Sequence, residues 1–214
     1  MPRIQPLDPA TAAGPVAEQL AATAKALGSV PNMFATAARS PAAITAMNAF
    51  FTALGKGRLG GQIGERIAIA VAQEDQCEYC LSAHTALGAM HRVEPAELAA
   101  ARQGSSREPR AAAAMAFALE VLARRGQVSD ATLAEARAAG LDDGEIVEVV
   151  AHVALNVFTN YLNNVAKTEV DFPVVALEQA ARRGRARRGG AVPKNRVHIR
   201  VAGHAVYSFS EAPR

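Results

Sequence analysis

The sequence predicts an all-α fold, and three observations carry that prediction. Half of its 214 residues are apolar, with alanine abundant, and alanine costs least to place in a helix. Tryptophan is absent and β-branched runs are short, so little in the chain favours a pleated surface. Apolar side chains recur near helical spacing between glycine and proline punctuation. A chain of this length can bury a core without disulfide staples, as one large domain or one domain with an appendage.

Taken in order, residues 1–16 read as an extended, proline-punctuated arm. The stretch "VAEQLAATAKALGSVPN" predicts a helix stopped by Gly28 and Pro31, since glycine suits a left-handed cap and proline cannot continue the ladder. In "SPAAITAMNAFFTALGKG", Ser40 is placed to cap the N-terminus, with Pro41 at the first helical position. "GGQIGERIAIAVAQ" is mostly apolar, with Glu65 among its few charges, and predicts a buried helix. After the turn "EDQ" a helix runs from about Cys77 to Met90. Pro95 opens another, closed by Gly104.

Residues 107–125 place Met115, Leu119 and Leu122 on one face, and Gly126 ends them. Ser129 or Asp130 can cap "ATLAEARAAG". Asp142 and Glu145 fit a capping box at the start of a long helix to about Ala166. Its stripe of Ile146, Val150, Val153, Val157 and Tyr161 is assigned to the core by periodicity. Seven or eight helices result, and they fill a domain spanning residues 17–181.

The net charge of +3 hides an uneven split. Nine of the 23 basic residues and one of the 20 acidic ones fall in residues 182–214, a charge of +8, which leaves −5 on residues 1–181. That last segment is expected to be a disordered basic tail, with contact to RNA or a membrane surface as the sharper alternative. The body carries no basic excess pointing to a nucleic-acid partner. No apolar run reaches the roughly 18 residues a membrane span needs. The N-terminus, with four prolines and no apolar core segment, does not read as a secretory signal. A cytoplasmic, reducing compartment is the expectation, and there a C-x-x-C pair points to redox or metal chemistry more than to a structural bridge.

Both cysteines of the chain lie in "GERIAIAVAQEDQCEYCLSAH", residues 64–84. On a helix from Cys77 onward, Cys77 and Cys80 sit at i and i+3, and Cys80 and His84 at i and i+4, so all three share a face. A thiol in the first turn lies where free N–H groups and the helix dipole favour a thiolate. Glu65 lies twelve residues before Cys77 on the preceding apolar helix. A short antiparallel return would bring it near His84, and a carboxylate in such surroundings calls for a partner. Together these are a redox pair beside a proton relay.

The spacing Glu65-x11-Cys77-x-Tyr79-Cys80-x3-His84 resembles the core motif of the alkylhydroperoxidase AhpD-like branch of the carboxymuconolactone decarboxylase superfamily. "LGSVPNMF" followed by "SPAA", and "GLDDGEIVEVVAHVALNVFTNYLNNVA", resemble its flanking regions, so the likeness covers roughly residues 2–175. It implies an AhpD-like helical bundle, assembled as a homo-trimer or homo-hexamer, without metal or organic cofactor. By it Cys80 corresponds to the peroxidatic cysteine, Cys77 to the resolving one, and Glu65 and His84 to the relay. Tyr79 stands where the best-studied members carry histidine, and it could share in protonating the departing alkoxide. The implied activity is reduction of organic hydroperoxides or hydrogen peroxide, reset by an external dithiol such as a lipoylated or thioredoxin-like protein.

Four other readings compete with it. The pair could serve general thiol–disulfide exchange, or the scaffold could process a lactone as a decarboxylase, although that reaction needs no dithiol. The chain could be a non-catalytic oligomeric scaffold. Cys77, Cys80, His84 and Glu65 could ligate zinc, but three ligands on one regular helix do not easily close a tetrahedron. The polar stripe His152, Asn156 and Asn160 could line the active site or a subunit interface, but is expected to satisfy itself within the core.

Overall fold

The computed structural model describes residues 1–178; the basic tail expected over 182–214 lies outside the described residues. The order is α1 (Gly14–Leu27), α2 (Asn32–Ala37), α3 (Pro41–Leu54), α4 (Gly60–Glu74), α5 (Glu78–Met90), α6 (Pro95–Ala101), α7 (Pro109–Arg124), α8 (Asp130–Ala138) and α9 (Asp143–Ala166). Among the described residues there is no strand, as an all-α fold requires.

Most ends follow the sequence signals. The Ser40 side chain accepts the Ala43 N–H with Pro41 in the first turn, Gly28 takes a left-handed φ of 83° after α1, and Ser129 rather than Asp130 caps α8. At α9 both halves of the Asp142–Glu145 capping box form, and Arg110 pairs with Glu145. One element the sequence reading lacks is α2, whose six residues are too few to display a period. The N-terminal arm holds a short 3-10 turn at Pro9–Thr11 and is tied to the body: Arg3 N–H donates to Ala166 O, and Leu7 N–H to Ala35 O.

The centre of the bundle is α4, which packs on α5, α7 and α9. Ile63, Ile67, Ile69 and Val71 are buried there, and the intervening Ala68, Ala70 and Ala72 let neighbouring helices approach closely. Each large aliphatic side chain so buried contributes about 1.5–3 kcal/mol. The chain then reverses through Asp75 and Gln76. Gln76 takes φ 53°, a left-handed geometry that costs a non-glycine residue about 1 kcal/mol, and its side chain donates to Gln73 O. This reversal lays α5 antiparallel on α4, the return that the Glu65–His84 pairing requires.

The long helix α9 corrects one expectation. Ile146 and Val153 are buried, but Val150 is 44% and Tyr161 55% exposed. The reason is that α9 turns a polar stripe inward: Asn156, Thr159, Asn160 and Asn163 are all buried. Counting only apolar positions rotates the predicted buried face away from the observed one. Val147, Phe158 and Val165 stand exposed beside Val150 and Tyr161 on the outer face.

Candidate active site

Cys77 is the N-cap of α5, and its sulfur accepts the Cys80 N–H at 3.2 Å. The two cysteines are joined as a disulfide with Cα atoms 5.3 Å apart, within the span such a bond allows. Both are buried, at 0% and 2% exposure. One turn further along α5, His84 Nδ1 lies 2.8 Å from Glu65 Oε2 on α4, with both side chains largely buried. A carboxylate on Nδ1 fixes the imidazole's orientation and leaves Nε2 as its other working nitrogen.

Glu65, Tyr79, Cys80 and His84 all face one cavity of about 430 Å³. Its other walls come from α1, α2, α3 and Phe172, and are mainly apolar. Cys77 is not part of the cavity wall and lies behind Cys80. Of the five residues singled out in the sequence, four therefore share the cavity surface and the fifth is bonded to one of them.

Tyr79 is committed to packing. Its hydroxyl oxygen accepts the Met33 N–H at 3.1 Å, and Phe172 meets its ring edge-on at 5.9 Å. Burial, with the Asp171 carboxylate adding to it and the Met33 N–H opposing, pushes the phenol far above its ordinary range. The phenol therefore keeps its proton at any neutral pH.

Several neighbours were not anticipated. After α9 the chain crosses back over α5: Val175 N–H donates to Ser82 Oγ at 3.0 Å, and Asn32 N–H donates to Asp171 at 2.7 Å, which sets Phe172 into the cavity wall. An irregular segment has no periodicity from which this could be read. The stripe of α9 satisfies itself only in part, through the Asn156 side chain donating to the His152 carbonyl at 2.8 Å. Asn160 donates to Asp75 Oδ2 at 2.9 Å, and Asp75 has its carboxyl raised by burial, an effect this bond opposes. Asn163 donates to Cys80 Sγ at 3.2 Å. The steps from Asn156 to Asn160 to Asn163 on an otherwise apolar helix were the available signal, and the sequence reading stopped one residue short. His152 packs against Gly64, where a Cβ would come within 2.9 Å of the ring; burial lowers its basicity, with Glu148 and Glu65 opposing.

Among the described residues no three His, Cys, Asp or Glu side chains gather as a metal-binding group, and none of their helices is long and apolar enough to cross a membrane.

Comparison with known proteins bears on the family and the fold. Residues 41–123 match the model of the carboxymuconolactone decarboxylase family. The structure of an AhpD-core, peroxidase-related protein from Ralstonia eutropha JMP134 superposes with a TM-score of 0.72 at 25% identity, covering 79% of this chain and 92% of that one. A peroxidase-related protein from Silicibacter sp. TM1040 gives 0.67 at 21% identity, covering 78% and 91%. The debrominase Bmp8, as a cysteine-to-alanine variant with 2,3,4-tribromopyrrole, gives 0.68 at 19% identity over the same shares. These last two likenesses speak to the fold alone. No curated protein matches the sequence.

Proposed function

We propose that the chain, whose residues 41–123 match the carboxymuconolactone decarboxylase family and whose fold is AhpD-like, is a thiol-dependent peroxidase of organic hydroperoxides. The observation that carries this reading is the joining of Cys80 to Cys77 at the end of an apolar cavity that also presents the Glu65–His84 pair.

In the reduced protein the Glu65–His84 pair takes the proton of Cys80. The thiolate attacks the distal oxygen of ROOH, forming an S–O bond as the O–O bond breaks, and His84 returns the proton to the departing alkoxide. Cys80 is then a sulfenic acid and the product an alcohol. Cys77 attacks that sulfur, the disulfide forms, and hydroxide leaves as water with the Cys77 proton. An external dithiol, lipoylated or thioredoxin-like, restores both thiols by exchange. Tyr79, with its hydroxyl accepting the Met33 N–H, supports the wall in this scheme, and the proton falls to His84.

The mostly apolar cavity favours an alkyl or aryl hydroperoxide over hydrogen peroxide, since burying a substrate's apolar body contributes about 25 cal/mol per Å². We place the protein in the reducing cytoplasm, where such a pair can cycle, and assign its homo-oligomerisation to the outer face of α9.

Free thiols are to be counted by mass spectrometry before and after one equivalent of cumene hydroperoxide. The expected result is the loss of two thiols with a mass decrease of two hydrogens. A reduced pair that ignores the peroxide would overturn the reading.

A further inference from the structure

The two sulfurs are served by different donors. Cys77 Sγ accepts from the backbone N–H of Cys80, a bond within α5 and its cap. Cys80 Sγ accepts from the side-chain amide of Asn163, which belongs to α9. Asn163 is 3% exposed, and its Oδ1 has no partner among the described residues. A buried amide that leaves its oxygen unused is costly where an apolar side chain would pack. Asn160 Oδ1 is without a partner in the same way, so what singles out Asn163 is where its N–H goes: the Asn160 donor is spent on Asp75 and the Asn156 donor on the helix's own His152 carbonyl, whereas that of Asn163 is spent on sulfur. The opposite amide orientation would set carbonyl lone pairs against the sulfur.

We propose that Asn163 is the hydrogen-bond donor that holds Cys80 as a thiolate, a role separate from the Glu65–His84 relay. The inference rests on Cys80 being the nucleophile. A disulfide sulfur is a weak acceptor, whereas the same N–H on a thiolate forms a charge-assisted bond. The contact therefore gains most of its strength once the pair is reduced, and it acts on the ionised form of one cysteine only. The titratable groups facing this region are Glu65 on α4, Tyr79, His84 and Cys77 on or capping α5, His152 on α9, Asp75 in the α4–α5 turn, and Asp171 beyond α9. No side chain of that set donates a hydrogen bond to Cys80 Sγ among the described residues. During peroxide attack the same donor keeps the sulfur lone pair aimed from a fixed point, because Asn163 is anchored on a different helix from the thiol.

The test uses the full chain, reduced and freed of reductant. It is alkylated with iodoacetamide across pH 5–9 (roughly the range spanned by depressed and ordinary thiols), and the Cys77 and Cys80 peptides are quantified separately. Asn163→Leu removes the donor, and Asn163→Asp, nearly isosteric, replaces it with an acceptor. The Cys80 profile is expected to move upward by about one pH unit in Asn163→Leu, a roughly tenfold slower reaction on its acidic side, and further in Asn163→Asp, while the Cys77 profile stays in place. Coincident Cys80 profiles in all three proteins would overturn the inference, as would equal shifts at both cysteines, the mark of a loosened helix. A wild-type pair indifferent to hydroperoxide would instead sink the peroxidase reading and leave the alkylation result standing.

Discussion

Glu65 Oε2 and His84 Nδ1 lie 2.8 Å apart across the α4–α5 interface, nineteen residues apart in sequence and both largely withdrawn from solvent. Each group answers the other's burial: the carboxylate orients the ring, and the ring supplies the partner without which a buried carboxylate is expensive. Replacing Glu65 by Gln keeps the volume and removes the charge that stabilises an imidazolium. The expected outcome is a fall of about a hundredfold in kcat/KM for cumene hydroperoxide, with an unchanged circular dichroism spectrum. Activity within twofold of wild type would remove Glu65 from the relay.

The positions of the two sulfurs predict different failures. Cys80 faces the cavity while Cys77 lies behind it. Cys80→Ser is therefore expected to abolish peroxide consumption. Cys77→Ser is expected to stop after one turnover and accumulate sulfenic acid at Cys80, detected as a dimedone adduct by peptide mass spectrometry. An adduct at Cys77 in the Cys80→Ser protein would reverse the assignment of roles.

How far the site was legible depends on the kind of signal each residue carries. The meeting of Glu65 with His84 follows from two helices joined by a short reversal, and the i, i+3 and i+4 offsets of Cys77, Cys80 and His84 are local geometry. The orientation of α9 was not legible, because its apolar residues divide between the two faces, with Ile146, Val149, Val153 and Leu155 inward and Val147, Val150, Phe158, Tyr161 and Val165 outward, while Asn156, Asn160 and Asn163 turn inward, against the rule that periodicity arguments use. Asn163 and Phe172 reach the site from α9 and from the irregular segment after it. Their placement depends on tertiary packing that no single-helix pattern encodes.

The cavity's shape predicts a substrate preference. Ala22 and Ala26 line its edge from α1 and are exposed, so a larger side chain there occupies the cavity without disturbing the core. Ala22→Trp is expected to lower kcat/KM for cumene hydroperoxide about tenfold while leaving hydrogen peroxide turnover near the wild-type rate. Equal losses for both substrates in steady-state assays would show that the cavity does not hold the organic group.

Stability should depend on pH through Glu97. Hydrogen bonds from Ser106 and then Arg107 hold its carboxyl down at about 2, against an ordinary value of 4.5. A carboxyl lowered in the folded state favours folding where the unfolded chain has already lost that proton. The stabilisation is therefore complete above 4.5 and disappears as the pH falls toward 2. Glu97→Gln is expected to lower the melting temperature at pH 6 (~two units above the ordinary carboxylate range), and the gap from wild type should close on acidification through that window. A gap independent of pH in thermal melts would assign the loss to packing.

The outward face of α9 bears on assembly. From Val149 to Ala166 the chain has no Asp, Glu, Lys or Arg, and Val147, Val150, Ala154, Phe158, Tyr161 and Val165 succeed one another at three- and four-residue steps on the exposed side. An apolar stripe of that length at that spacing suits packing against another helix, and a second α9 brings a stripe of matching period. Because the inward face of α9 carries Asn163, such pairing would also brace the helix that reaches Cys80. Phe158→Glu combined with Tyr161→Glu places like charges on both sides of such a contact, where burial without partners is prohibitive. Wild-type protein is expected to sediment as an oligomer and the double variant as a monomer with its fold intact. A wild type that stays monomeric at every concentration would leave this face without the partner assigned to it.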